Sequence, residues 1–120
     1  NTGPYVQYTY ARASSILSKG GMPDTSRSTV FTHESEAALV KVLARFPEKD
    51  LEAVRDYEPS VITRYILDIS AAFNRFYHDC QITNVADDDI KNTRLLLTLA
   101  TKVTLGNAFE LICLKKEEKI

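Results

Sequence analysis

Apolar residues recur at three- and four-residue spacing along most of the chain, and nowhere alternate with polar ones at the strand period of two. That pattern predicts helices throughout. Val6, Tyr10, Ala13, Ile16 and Leu17 make the first stripe, and the helix it predicts opens near Pro4 and runs to about Ser18. Tyr5, Tyr8, Arg12, Ser15 and Lys19 fall on a neighbouring stripe of that helix, three or four residues apart. Gly20-Gly21 is expected to stop it, and residues 21–32, rich in Ser, Thr, Gly and Pro, read as a loop.

Thr32 is the expected N-cap of a second helix, with Glu34 and Glu36 placed to suit its positive end and Leu39, Val42, Leu43 and Phe46 on one apolar face. Pro47 opens a short third helix with Leu51 and Val54 buried, which ends before Pro59. From Pro59 to about His78, the stripe Ile62, Ile66, Ile69, Phe73 and Phe76 holds its period through a long fourth helix, with Arg64 and Asp68 at i,i+4 on another face. Asp87-Asp88-Asp89 begins a fifth helix reaching about Leu105. Its Leu95, Leu96, Leu97, Leu99, Ala100 and Val103 are apolar on most sides, as suits the centre of a bundle. Gly106-Asn107 is expected to interrupt or end it, with Ala108 to Leu114 as a short last helix before a charged tail, Lys115 to Ile120. The fold class predicted is all-α, a single-domain bundle of five to six helices.

Composition changes this picture little. The chain has 120 residues, 44% hydrophobic and 26% charged, which fits one soluble domain with its own core. Its longest apolar run falls far short of a membrane span, and no signal peptide opens it. Cys80 and Cys113 form neither a metal pattern nor a disulfide framework, so a reducing, cytoplasmic setting is the default. The net charge of −1, from 15 basic and 16 acidic side chains, argues against a nucleic-acid binder. The opening Asn1-Thr2-Gly3-Pro4, without an initiator Met, reads as a boundary inside a longer protein.

Reactive groups are few. His33 and His78 are the only histidines and lack the HExxH spacing of a metal pair. Cys80 lies two residues after His78, and a buried thiol beside a helix-end imidazole is the preferred reading over a catalytic pair. The three aspartates suit a helix start better than a metal site, because no EF-hand spacing follows them. Neither GxGxxG nor GxxxxGK[ST] occurs. Two polar-aromatic sets remain. Tyr5, Tyr8 and Arg12 suit either stacking on unpaired bases or an interface with another domain. Asn74, Tyr77, His78 and Gln81 share one face at the end of the fourth helix and suit either a base edge and ring or a solvated helix end.

The same residues carry a family resemblance. Tyr5-Val6-Gln7-Tyr8 followed by Ala11-Arg12 resembles the segment joining the catalytic and anticodon-binding domains of arginine–tRNA ligases. Glu58-Pro59-Ser60, Tyr65 and Ala72-Phe73-Asn74-Arg75-Phe76-Tyr77-His78 resemble the long helix of that anticodon-binding domain. Thr93-Arg94-Leu95, with Val103 and Gly106, is similar to the segment that names the DALR type, although Asn92-Thr93-Arg94-Leu95 departs from a strict Asp-Ala-Leu-Arg. The tail departs further, with Cys113, Glu117 and Ile120 where the family usually has Gly, Pro and Met; the register suggests that Ile120 is the native end.

The resemblance implies a non-catalytic domain that receives the anticodon loop of arginine tRNA and splays its bases into a pocket between helices. Tyr77 would pack a base; Arg12, Tyr8, Gln81 and Asn74 would join it in binding tRNA, with Ile120 as a pocket wall. Tyr5 and Gln7 would lie at the junction with the catalytic domain of the same chain. Arg94 would touch phosphate or pair with a helix carboxylate. ATP chemistry would belong to that catalytic domain, whose HIGH-like and KMSKS-like signatures do not occur here, and no cofactor, metal or membrane is implied; a monomer is expected. A protein–protein interaction module is the alternative, as is the anticodon domain of another DALR-type synthetase, such as a cysteine or glycine enzyme.

Overall fold

The computed structural model describes residues 2–46 and 59–118. Its elements are α1 (Thr2–Gly20), α2 (Glu34–Ala44), α3 (Pro59–Asp79) and α4 (Asp88–Glu118), and no strand occurs among the described residues. The expected short helix after Pro47 lies outside the described residues, as does Ile120.

Local chemistry accounts for most of the boundaries. Gly21 takes a left-handed φ of 86° while its N–H donates to Leu17 O at 2.8 Å, so the glycine pair ends α1 as expected. α2 begins one residue later than expected. His33, not Thr32, is its N-cap: His33 Nδ1 accepts from the Ser35 N–H at 3.0 Å, while Glu36 Oε1 accepts from the His33 N–H at 2.8 Å. The Thr32 hydroxyl instead accepts from Arg94 Nη2 at 3.3 Å. Asp87 Oδ1 caps α4 by accepting from the N–H groups of Asp89 and Ile90, and Asp88 and Asp89 stand in the first turn. The aspartate triplet is thus a helix start.

The expected break at Gly106-Asn107 does not occur, and α4 runs on to Glu118 as one helix. Leu105 and Ala108, on either side of the pair, are both fully buried, so packing holds the helix where local propensity would end it. Four helices are therefore seen among the described residues, against the five to six expected.

α3 and α4 pack together, with α1 and α2 each lying against both of them. At about 1.5 Å per residue α4 accounts for most of the 51 Å long axis. The α3 stripe is as predicted, with Ile62, Ile66, Ile69, Phe73 and Phe76 all buried. On α1, Val6, Ala13, Ile16 and Leu17 are buried, but Tyr10 is 36% exposed and Thr9 takes the inward position. On α4, Leu95 and Leu97 are buried, whereas Val103 is 51% exposed, because α4 has one open side. Its buried face is completed by Thr93, Thr98 and Thr101, whose hydroxyls donate to the carbonyls of Asp89, Arg94 and Leu97 one turn back. By length and composition alone, Asp88–Cys113 is long and apolar enough to cross a membrane, a measure that a core helix also meets. The structure packs it against α1, α2 and α3.

Asp68 meets Arg45 of α2's C-terminal end at 3.5 Å, and not Arg64 one turn before it. The loop after α1 is fastened to α4: Asn92 Oδ1 accepts from the Asp24 N–H at 2.8 Å, and Thr93 Oγ1 accepts from the Val30 N–H at 2.8 Å.

Candidate nucleic-acid interface

α1 crosses α3 so that the Tyr8, Arg12, Ser15 and Lys19 stripe faces the C-terminal turn of α3 and the loop that follows it. Between them lies an open groove of about 830 Å³, lined by that stripe and by Tyr77, His78, Asp79, Cys80, Gln81, Ile82, Thr83 and Asn84. The two polar-aromatic sets, read separately from the sequence, are brought to one place.

Arg12 is the centre of the arrangement. Its Nη1 donates to Asn74 Oδ1 at 2.8 Å and its Nη2 to the Tyr8 hydroxyl at 2.7 Å. Its guanidinium carbon lies 4.7 Å from the Tyr8 ring centroid and 4.2 Å from that of Tyr77. Asn74 Nδ2 donates to the Tyr5 hydroxyl at 3.2 Å and to Thr9 Oγ1 at 3.0 Å, and the Thr9 hydroxyl donates to Tyr5 O. A guanidinium only donates, so the amide oxygen of Asn74 must face Arg12, and this turns the amide N–H groups toward Tyr5 and Thr9. Tyr8 and Tyr77 remain 57% and 43% exposed, with ring surface available to a ligand.

The floor is held from below. Arg94 Nε donates to Glu36 Oε2 at 2.8 Å, and its Nη1 donates to the Gln81 carbonyl at 2.7 Å. Glu36 is fully buried and Arg94 nearly so, so this pair is the structural of the two roles open to Arg94. Burial alone would push the Glu36 carboxyl up, but Arg94 and the N–H groups of Thr32 and His33 outweigh it and hold the carboxyl below its ordinary value. The pair ties α2, α4 and the loop after α3 together, and leaves the Gln81 side chain exposed at the groove.

Gln7 points elsewhere. With Tyr10, Gly106 and Phe109 it lines a second, more apolar hollow of about 290 Å³ between α1 and α4. Tyr5, expected beside Gln7 at a domain junction, is joined to the groove through Asn74. Cys80 is buried, and burial pushes its thiol up, away from the thiolate a nucleophile needs. Lys19, Thr83 and Asn84 were not among the expected site residues. The stripe signalled Lys19, but the loop of Thr83 and Asn84 has no periodicity to read.

Aromatic faces, a guanidinium, an ammonium and an exposed amide around an open groove suit a ligand that offers flat rings and phosphates together. The chain matches the family described as "DALR anticodon binding domain" over residues 6–120. It is similar to the arginine–tRNA ligases of Alkaliphilus metalliredigens (43% identical, over 99% of this chain and 21% of the relative) and Clostridium acetobutylicum (44%, over 92% and 20%). That of Treponema denticola is 41% identical over 93% of this chain and 20% of the relative. The chain thus spans about a fifth of the length of these curated relatives.

Proposed function

The chain belongs to the DALR anticodon binding domain family, and from that premise we propose that it recognises the anticodon loop of arginine tRNA as part of a cytoplasmic, monomeric arginine–tRNA ligase. The observation that carries this reading is the groove in which Tyr8, Arg12, Tyr77 and Gln81 converge from α1 and the end of α3. Activation of arginine with ATP falls to a catalytic domain outside these residues. Gln7, on the apolar hollow facing away from the groove, is assigned to the contact with that domain.

The net charge of −1 does not oppose this function. Single-stranded loops are held largely by stacking and by hydrogen bonds to base edges, which need few cations. Arg12 and Lys19 supply positive charge where the groove lies, against the single carboxylate of Asp79.

The test is binding of an arginine-tRNA anticodon stem-loop to the wild-type chain and to Tyr77→Ala. Base–aromatic stacking is worth about 1–3 kcal/mol, so the substitution should raise Kd at least several-fold. An unchanged Kd would remove Tyr77 from the site. An equal loss against stem-loops altered at the central anticodon base would mean that Tyr77 senses shape rather than sequence.

A further inference from the structure

We propose that Arg12 fills the ring slot of the unliganded groove: its guanidinium covers Tyr8 and Tyr77, yields that place to a nucleobase, and turns to the neighbouring phosphate. The proposal rests on the reading that the groove takes a single-stranded RNA loop. It adds a change in the protein that the reading itself does not require.

The geometry around Arg12 carries it. The same flat cation lies 4.7 Å and 4.2 Å from the centroids of the two rings that a base would use. Both rings are otherwise largely exposed, so what stands between them and a ligand is chiefly this guanidinium. The contacts that hold it are of an exchangeable kind. Its two hydrogen bonds go to an amide oxygen and a phenol, both neutral, and among the described residues no carboxylate pairs with it.

Arg94 shows the contrast within the same chain. Its guanidinium is fixed by a fully buried carboxylate at 2.8 Å, and it is nearly buried itself. Among the described residues Arg12 has no such anchor. A phosphate would replace two neutral acceptors with charge-assisted, bidentate ones, which are roughly twice as strong. A base would replace the cation on the rings with a larger flat face, and base stacking outweighs an exposed cation–π contact.

The two exchanges reinforce one another. A polyanion without bases can draw Arg12 away only by leaving two rings bare to water. A base without a phosphate displaces the cation and gives it no new partner. The groove therefore responds to a ligand that brings both, an unpaired nucleotide within a strand, and is indifferent to a mere polyanion. This is selectivity that a chain of net charge −1 can exert without a broad basic surface.

The experiment follows Arg12 by NMR in the isotope-labelled chain, titrated with an arginine-tRNA anticodon stem-loop and, separately, with inorganic tripolyphosphate. In the free protein the Arg12 δ-methylene and Nε–H signals should be shifted by the ring currents of Tyr8 and Tyr77. The stem-loop should return them toward random-coil positions while the Tyr77 ring signals register stacking, and tripolyphosphate should leave them shifted. Arg12 signals that stay ring-shifted while Tyr77 and the RNA bases report stacking would overturn the displacement and leave the groove reading intact. Release of Arg12 by tripolyphosphate alone would also overturn it. A stem-loop that perturbs no groove residue would defeat the groove reading itself, and the proposal with it. In Arg12→Lys, which keeps the charge but not the flat fork, the Tyr77 stacking shifts should persist. In Arg12→Ala the log–log salt slope of stem-loop binding should fall by about 0.7, the loss of one phosphate contact to a single strand. An unchanged slope would count against the turn to phosphate.

Discussion

Asn74 commits its side-chain amide to the protein: both nitrogen hydrogens go to Tyr5 and Thr9, and its oxygen accepts from Arg12. Under the proposed displacement of Arg12, Asn74 would act as a positioning residue that fixes where the guanidinium rests in the unliganded groove. Asn74→Ala should cost about 1–3 kcal/mol in denaturant unfolding, since Thr9 is buried and loses a partner. It should also weaken stem-loop binding. Asn74→Asp keeps an acceptor for Arg12 and converts it to a charged one. It should therefore hold the guanidinium on the rings and weaken the stem-loop more than Ala does, the opposite of what simple loss of a base contact gives. At the other end of α1, Gly21 adopts φ 86°, so Gly21→Ala should lower stability by about 1–2 kcal/mol in a thermal melt. That glycine was legible from the sequence. The role of Thr9 was not, because nothing in a helical stripe distinguishes a threonine turned inward to meet an amide from one turned to solvent.

At the scale of elements, α3 was readable almost entirely from its period, because a β-branched and aromatic stripe with no competing signal leaves one face to bury. α4 was misread in two ways, and both have the same cause. Its leucines point to most sides, so the inward face is chosen by what α1, α2 and α3 present, and three of its buried positions are threonines satisfied by carbonyls one turn back. Gly106-Asn107 is a local stop signal that tertiary burial of Leu105 and Ala108 overrides. A methyl group at Gly106 would meet only Tyr10, at an ordinary 3.8 Å. Gly106→Ala should therefore stabilise the chain by about 1 kcal/mol, read as a higher urea midpoint, by removing the helix penalty of glycine. A loss of stability would mean that Gly106 is kept for backbone conformation rather than for space. His33 makes the complementary point for α2: its ring acts as the cap, a role the sequence assigned to Thr32, and His33→Ala should cost about 0.5–2 kcal/mol.

At the scale of the molecule, each half of the groove was legible and its assembly was not. The stripe on α1 and the polar face at the end of α3 are local patterns; that they meet depends on how α1 and α3 both lie on α4, which no spacing encodes. What fastens the remaining side is the Arg94–Glu36 pair, joining α2, α4 and the Gln81 loop in one contact. Its effect on stability has a definite sign with pH. The Glu36 carboxyl is held below its ordinary value of 4.5, so the folded state binds fewer protons there than the unfolded state. The stabilisation is present above that ordinary value and is lost as pH falls through the lowered one. Asp24 and Asp79, also held low by Ser26 and Ser35, act in the same direction, so Glu36 must be isolated by comparison. In Arg94→Met the carboxyl is left buried without its cation, at a cost of about 3–5 kcal/mol near neutrality. Burial is then opposed only by the N–H groups of Thr32 and His33, so the Glu36 value rises relative to the wild type and less stability is lost on acidification. Urea midpoints of the wild type and Arg94→Met, followed from about pH 7 to pH 3, should therefore converge as the solution is acidified. Parallel curves would mean that the pair is stabilised by packing rather than by charge. Because Arg94 also holds the Gln81 carbonyl, stem-loop affinity of Arg94→Met measured at neutral pH should fall even where the chain remains folded.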